Sequence, residues 1–203
     1  EANLTSSFSV GTGARIVNTQ KAHSQGSLIT TDNSLDLAIE GGGFFQVLLP
    51  DGRIGYTRNG AFSTNNEGVL TTSSGYVVQP EIAIPDGVTQ INISRDGIIS
   101  VLVAGAVGAD AVGQMQIADF TNRGGLQPIG ESFFVETDTS GDPIVGNPQD
   151  VGLGRLIQGA LEASNVNVVT ELVEMIETQR AYEVSSKSIT SVDEMLRYIS
   201  QNL

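Results

Sequence analysis

His23 is the one histidine among 203 residues, and the chain contains no cysteine. Zinc sites with two histidines, cysteine-ligated metals and thiolate nucleophiles are therefore excluded. A nucleophile triad would need His23 itself as its base, but the polar residues around it predict an exposed surface position. We expect no catalytic residue, no metal site and no cofactor, and hence no enzyme.

Carboxylates are abundant, with 23 Asp and Glu in total. A facing pair of the kind used in glycoside hydrolysis would therefore arise by chance. Aromatic rings that could stack on a sugar are scarce, because there is no Trp and there are only four Tyr and seven Phe. Phe44-Phe45 and Phe133-Phe134 are typical of strand interiors. The acidic residues do not indicate a hydrolase.

Two segments look like ligand loops but lack essential residues. Gly41 to Gly43 is not followed by the Gly-Lys-Ser/Thr of a phosphate-binding loop. Thr137 to Pro143 lacks the alternating ligands and the closing Glu of an EF-hand, which favours a β-turn. The cations Arg58, Arg180 and Lys187 are scattered, and we expect them to form salt bridges within or between subunits.

The formal net charge of −13 limits the possible partners. Such a chain repels a phosphate backbone and an anionic lipid surface, so neither nucleic acid nor direct membrane insertion is expected. No run approaches the roughly 18 apolar residues of a spanning helix. The first 20 residues also lack the basic and then apolar layout of a secretory signal.

Glycine divides the chain into two regimes. The 24 glycines occur between residues 11 and 159, and none follows from Ala160 to Leu203. In the first regime, turn dipeptides separate short β-prone runs, since glycine supplies the positive φ of tight hairpins. The dipeptides are Asp51-Gly52, Asn59-Gly60, Glu67-Gly68, Asp86-Gly87 and Asp96-Gly97. The predicted strands are Phe44–Leu49, Ile54–Thr57, Val69–Thr72, Tyr76–Val78, Val88–Ile93, Ile98–Val103 and Met115–Phe120, which favours a small sandwich or barrel-like antiparallel fold.

The second regime predicts one long helix from Val168 to Leu203, without Gly or Pro and rich in helix formers. Ser164, Asn165 and Asn167 are candidate N-caps. Every seventh residue is apolar, and we call this set the apolar column: Val168, Met175, Tyr182, Ile189, Leu196 and Leu203. A second column holds Leu172, then polar Gln179 and Ser186, and shifts to Val192 and Ile199, as in a coiled coil with a polar middle.

The length of this helix indicates that its apolar column needs a partner. At 1.5 Å per residue, 36 residues span roughly 54 Å, whereas strands of five or six residues span roughly 17 to 20 Å. A helix packed on its own β domain is the simpler alternative, but such a sheet is too short to cover five heptads. We therefore expect helix-to-helix contacts between molecules, with Gln179, Ser186 and Asp193 fixing the register.

The predicted fold is mostly β with a long C-terminal α-helix, that is, a small antiparallel β domain plus a coiled-coil-forming helix. We expect an extended linker over residues 1–27, the β domain over 28–155, and a linker with the long helix over 156–203.

The run SNVNVVTELVEMIETQRAYE from Ser164 to Glu183, followed by SSKSITSVDEML, resembles the C-terminal signature of bacterial flagellar axial rod and hook proteins. The motif positions are Ser164, Asn165, Asn167, Gln179, Arg180, Tyr182 and Glu183. HSQGSLITTDNSLDLAIEGGGFFQV from His23 to Val47 and YTRNGAF from Tyr56 to Phe62 are similar to β-domain motifs of this family. The chain has no room for the extra domain of hook proteins. GTGARIV from Gly11 and GYVVQPEIAIP from Gly75 are more similar to members from the distal part of the rod than to proximal ones.

The resemblance implies a structural subunit that leaves the cytoplasm by flagellar type III export without a cleaved signal and polymerises helically. It implies a place in the basal body on the periplasmic side, with other rod and hook proteins and the surrounding bushing rings as partners. It also implies an N-terminal helix that pairs with the C-terminal one. This sequence shows no such helix, and we expect that it is truncated.

Two other functions remain open at this point. One is a proximal rod protein of the same family, and the other is a secreted β binding module for carbohydrate or protein. A filament subunit self-associates through its helix, whereas a binding module stays monomeric.

Overall fold

The computed structural model of the protein describes Arg15, residues 21–105 and residues 108–201. Within these residues the chain forms short antiparallel strands followed by one helix. The strands are β1 (Leu28–Thr30), β2 (Leu37–Glu40), β3 (Phe44–Leu48), β4 (Ile54–Thr57), β5 (Phe62–Thr64), β6 (Leu70–Thr72), β7 (Val77–Gln79), β8 (Val88–Ile93), β9 (Ile98–Val103), β10 (Asp110–Gln114), β11 (Ile117–Asp119), β12 (Gln127–Gly130), β13 (Phe133–Val135), β14 (Ile144–Gly146), β15 (Arg155–Gln158) and β16 (Ala160–Glu162). A 3-10 turn covers Arg123–Gly125, and the helix α1 covers Val168–Gln201.

The largest sheet has nine strands and is organised around β3. Its path runs β12-β13-β4-β3-β7-β6-β5. Because β4 occupies one edge of β3, β11 and β7 share the other edge, where β11 pairs with Phe44 and Phe45 and β7 pairs with Gln46 to Leu48. The strand β14 extends the sheet beyond β11.

Three smaller sheets complete the fold. β8, β9 and β10 form an antiparallel meander, β15 pairs with β2, and β1 pairs with β16. None of the described sheets closes on itself, so the structure is a set of open antiparallel sheets. The strands β2 to β15, from Leu37 to Gln158, are called the β body below.

Alternation along β3 fills two hydrophobic cores. Phe45 and Val47 contribute to the main core, together with residues of β2, β9 and β15 such as Ile39, Ile99 and Leu156. Phe44 points to the opposite face, where it packs with Tyr56, Phe120 and others in a second cluster. Both faces of β3 are therefore buried, and each fully buried phenylalanine contributes roughly 1.5–3 kcal/mol to folding.

The observed β body extends further along the chain than the boundary at residue 155. β15 continues to Gln158 and β16 covers Ala160–Glu162, in the region after residue 155 where a linker was predicted, and these strands pair with β2 and β1. These pairings join residues more than 100 positions apart, so no local pattern indicates them. The division into domains remains a prediction in other respects.

The helix begins and ends close to its predicted limits. It runs from Val168 to Gln201, and Leu203 lies outside the described residues. Among the described residues, no helix has both the length and the apolar character needed to cross a membrane.

Candidate assembly surface

Of the three candidate N-caps, Asn167 alone caps α1. Asn167 is the N-cap, since its Oδ1 accepts hydrogen bonds from the Val169 N–H at 3.1 Å and the Thr170 N–H at 3.4 Å. The Ser164 hydroxyl accepts from the Val166 N–H at 3.2 Å. Asn165 instead contacts a distant segment, which is described below.

The helix itself is exposed over its whole length. No residue of α1 is buried, and every residue from 164 to 201 belongs to the exposed class. The predicted interface residues within the described chain are between 50% and 76% exposed: Val168, Leu172, Met175, Tyr182, Ile189, Val192, Leu196 and Ile199. The remaining one, Leu203, lies outside the described residues.

Such exposure is unusual for apolar residues at heptad spacing. Contiguous exposed apolar surface on a folded protein marks an interaction site. The stripe lies on a helix of 34 residues, which is roughly 51 Å long. The polar motif residues Gln179, Arg180 and Glu183 are exposed on the same helix. The geometry thus suits contact with another helix.

Two segments of the chain, residues 22–28 and residues 160–165, lie side by side and connect α1 to the β body. Together they are called the stem. The two segments pair through β1 and β16 and through a hydrogen bond from the Ala163 N–H to the Ser27 carbonyl at 2.8 Å. The Asn165 amide donates to the Ala22 carbonyl at 3.1 Å and to the Ser24 carbonyl at 3.0 Å. The stem was missed by the sequence analysis, because its two segments are about 140 residues apart in the sequence.

His23 is partly buried, so the prediction of an exposed histidine was wrong. Its ring makes edge-on contacts with Phe44 and Phe134, with centroids 5.8 Å and 5.1 Å apart. Burial, with the nearby charges of Arg123, Lys21 and Arg58, lowers the pKa of His23 below its ordinary value of 6.5. Phe44 and Phe134 are distant in sequence from His23, which explains why the polar residues flanking it misled the prediction.

The other segments considered for chemistry have structural contacts. The carbonyls of Gly41 and Gly43 accept hydrogen bonds from Arg58 at 2.9 Å. Thr137 to Pro143 contains a turn in which the Ser140 N–H donates to the Thr137 carbonyl at 3.0 Å. Across the part of the chain that the structure describes, no group of three His, Cys, Asp or Glu is arranged to hold a metal ion.

Open antiparallel sheets that carry one long helix with an exposed apolar stripe define the class of protein. Comparison with known proteins specifies this class. Residues 38–101, from β2 into β9, match the model of the flagellar hook protein FlgE/F/G D1 domain. Residues 157–202, which include part of the stem and α1, match the flagellar basal body rod FlgEFG protein C-terminal model.

Individual relatives cover almost the whole chain. The flagellar basal-body rod protein FlgG of Buchnera aphidicola subsp. Acyrthosiphon pisum is 51% identical over 99% of this chain and 77% of the relative. FlgG of Caulobacter vibrioides is 45% identical over 95% of this chain and 73% of the relative. The rod protein FlgF of Caulobacter vibrioides is 34% identical over 88% and 69%. The chain therefore belongs to the family of flagellar basal-body rod proteins.

Proposed function

We propose that the protein is a structural subunit of the distal part of the flagellar rod, located in the basal body, and that it polymerises through α1. The observation that carries this proposal is that every described residue of the apolar column, from Val168 to Leu196, is exposed. In the polymer, these side chains pack against helices of neighbouring subunits, and the β bodies form an outer wall. Such a role requires no catalytic residue.

The relatives support a distal rather than a proximal position. Within one organism, Caulobacter vibrioides, FlgG is 45% identical to the chain and FlgF is 34% identical. We assign FlgG to the distal rod on the resemblance described above. The same resemblance supports export without a cleaved signal, a periplasmic location, and contacts with other rod and hook proteins and with the surrounding bushing rings. No observation favours a carbohydrate- or protein-binding module.

The geometry supports packing of α1 in a coiled coil. Exposed side chains at seven-residue spacing gain free energy only when another apolar surface covers them, at about 25 cal/mol per Å². The break in the second column at Gln179 and Ser186 restricts the alignment of the helices, because a polar residue buried opposite an apolar one lacks a hydrogen-bond partner. The subunits then associate with one defined stagger.

A charge placed in the apolar column tests the proposal. We expect Met175→Glu or Ile189→Glu to abolish polymers visible by electron microscopy while the thermal unfolding of the β body stays unchanged. Deletion of 181–203 should have the same effect. Each glutamate would have to be buried without a partner in the helix interface.

Ser191→Glu is the matched control. Two residues correspond to 200° around an α-helix, so position 191 lies on the face opposite Ile189. We expect this variant, which carries the same added charge, to polymerise normally. Normal polymers from Ile189→Glu would refute the proposed role of the apolar column.

A further inference from the structure

Arg58 has an unusually complete set of partners. It follows β4, and its guanidinium donates four hydrogen bonds. Nε donates to Glu162 Oε2 at 2.8 Å, Nη1 to the carbonyls of Gly41 and Gly43 at 2.9 Å each, and Nη2 to the Ile39 carbonyl at 3.2 Å. Nη2 also lies 2.7 Å from Glu162 Oε2 as an ion pair. The Arg58 side chain is 21% exposed and that of Glu162 is 10% exposed, so solvent screens the pair only weakly.

Glu162 connects Arg58 to both segments of the stem. It is the last residue of β16, six positions before α1 begins. Its second oxygen, Oε1, accepts a hydrogen bond from the Gly26 N–H of the opposite segment at 2.8 Å. A Cβ on Gly26 would overlap the Ala163 carbonyl oxygen, so the two segments of the stem are in very close contact at Gly26. The carboxylate of Glu162 therefore links Arg58 to both segments of the stem.

The other end of the contact is the end of β2 together with the loop between β2 and β3, both part of the β body. Ile39, Gly41 and Gly43 present three backbone carbonyls to Arg58. Gln25 of the stem also reaches this loop, with its amide donating to the Ile39 carbonyl at 3.2 Å and its oxygen accepting from the Gly41 N–H at 3.1 Å. Arg58 supplies the charged and less exposed link between the stem and the loop.

Beyond the stem, burial does not fix the orientation of the helix. Residues 164 to 201 all belong to the exposed class, so α1 does not rest on the β body through a buried face. The angle between helix and body is consequently determined where the stem meets the loop between β2 and β3.

We propose that Arg58 is the positioning residue that sets the direction in which α1 leaves the β body, by holding Glu162 of the stem against the segment from Ile39 to Gly43. The importance of this angle rests on the proposed function, since identical subunits build a regular filament only when each presents its helix and its body in the same relation. Arginine suits this task because its planar guanidinium offers five donors in fixed directions, whereas a lysine ammonium offers three.

The experiment measures the angle directly in the monomer. The chain has no cysteine, so Asn66→Cys on the β body and Glu177→Cys on α1 accept spin labels at two exposed positions. Electron–electron double resonance gives the distribution of distances between the labels. We expect a narrow distribution for the labelled parent and one that is at least about twofold wider for Arg58→Lys, which keeps the charge but loses the planar set of donors.

Two further variants separate positioning from general stability. Glu162→Gln keeps the side-chain shape and removes the charge, and we expect it to widen the distribution as well. Arg155→Lys is the matched control, because the side chain of Arg155 makes a bidentate pair with Glu40 at 2.7 Å and 2.8 Å between β15 and β2, and its hydrogen bonds go to Glu40 and not to the stem. We expect Arg155→Lys to leave the distribution unchanged.

Unchanged distributions in both Arg58→Lys and Glu162→Gln would overturn the proposal. Equal widening by Arg155→Lys would also overturn it, since the effect would then reflect general loosening of the β body. A second pair of labels within α1, at Glu171→Cys and Glu183→Cys, should keep its distance in all variants, and a change there would locate the effect in the helix. Measurement at low concentration keeps this result independent of whether the protein polymerises.

Discussion

Gly60 shows how tightly single residues are fitted in the β body. A Cβ at this position would overlap the Leu37 carbonyl oxygen and would lie 3.2 Å from Cε2 of Phe45. Unlike the glycines of the other four predicted turn dipeptides, Gly60 does not adopt a positive φ. The residue is needed for close approach between two segments, and not for backbone conformation.

We expect Gly60→Ala to lower the free energy of unfolding by about 1–3 kcal/mol, the usual cost of overpacking. Urea denaturation followed by circular dichroism measures this change. Gly108→Ala serves as the control, because a Cβ there has no heavy atom within 4 Å. Equal stability of Gly60→Ala and the parent would show that the Leu37 segment can move away at no cost.

His23 makes the stability of the protein depend on pH. Its pKa is lowered in the folded protein by burial and by the positive charges of Arg123, Lys21 and Arg58. Two of these cations are paired with acids, Arg123 with Asp119 and Arg58 with Glu162. Below about pH 6.5, His23 binds a proton more readily in the unfolded chain than in the folded protein. The free energy of unfolding therefore falls as the pH falls through this range.

We expect His23→Phe to remove this part of the pH dependence. Phenylalanine can retain the edge-on contacts with Phe44 and Phe134, and it has no proton to bind. The stability of the variant relative to the parent should therefore rise between about pH 7.5 and about pH 5.5 in urea titrations, while the contributions of carboxylates cancel in the difference. A difference that stays constant over this range would contradict the interpretation.

At the scale of secondary-structure elements, α1 depends on its own sequence for stability. Residues 164 to 201 are exposed, so tertiary contacts cannot compensate for a lost helix cap. Asn167→Ala removes the side-chain acceptor of the Val169 and Thr170 N–H groups, at a cost of about 0.5–2 kcal/mol. We expect a loss of ellipticity at 222 nm in the monomer.

Thr178→Ala is the control for this prediction. The Thr178 hydroxyl bonds to the Glu174 carbonyl within the helix, and alanine has the higher helix propensity. Helicity should therefore stay the same or rise. An equal loss in both variants would mean that the cap at Asn167 is not specific.

The accuracy of the sequence-based prediction follows in part the range of the interactions that form each element. Ile54–Thr57, Val88–Ile93 and Ile98–Val103 were predicted with their observed limits, because local turns and β-branched residues define them. β1, β15 and β16 were missed, since their partners are far away in the chain. β5, β10, β12 and β13 were also missed, although each pairs with a neighbouring strand.

The same rule applies to the assembly surface. The apolar column is a local repeat that can be read from the sequence, and its helix was predicted from the absence of Gly and Pro and the abundance of helix formers. The Arg58–Glu162 contact joins residues 104 positions apart, and the sequence analysis only placed Arg58 among residues that form salt bridges. Resemblance to a family identified the YTRNGAF motif but did not reveal what its arginine contacts.

At the scale of the whole molecule, charge opposes the association that the apolar column favours. The chain carries a formal net charge of −13, and α1 contains six acidic and three basic residues, which gives −3 for the helix. Parallel packing of identical helices brings these charges together. Repulsion of this kind acts over the Debye length, which falls from about 30 Å at 0.01 M salt to about 10 Å at 0.1 M.

We therefore expect salt to promote polymerisation. Raising NaCl from about 0.01 M to about 0.1 M should lower the protein concentration at which light scattering appears, and ellipticity at 222 nm should increase at the same point, since an unpaired helix is only marginally stable in water. If intersubunit ion pairs of Arg180 or Lys187 held the polymer together, salt would instead weaken it. The direction of the salt effect thus decides whether apolar packing of α1 or charge pairing provides the free energy of assembly.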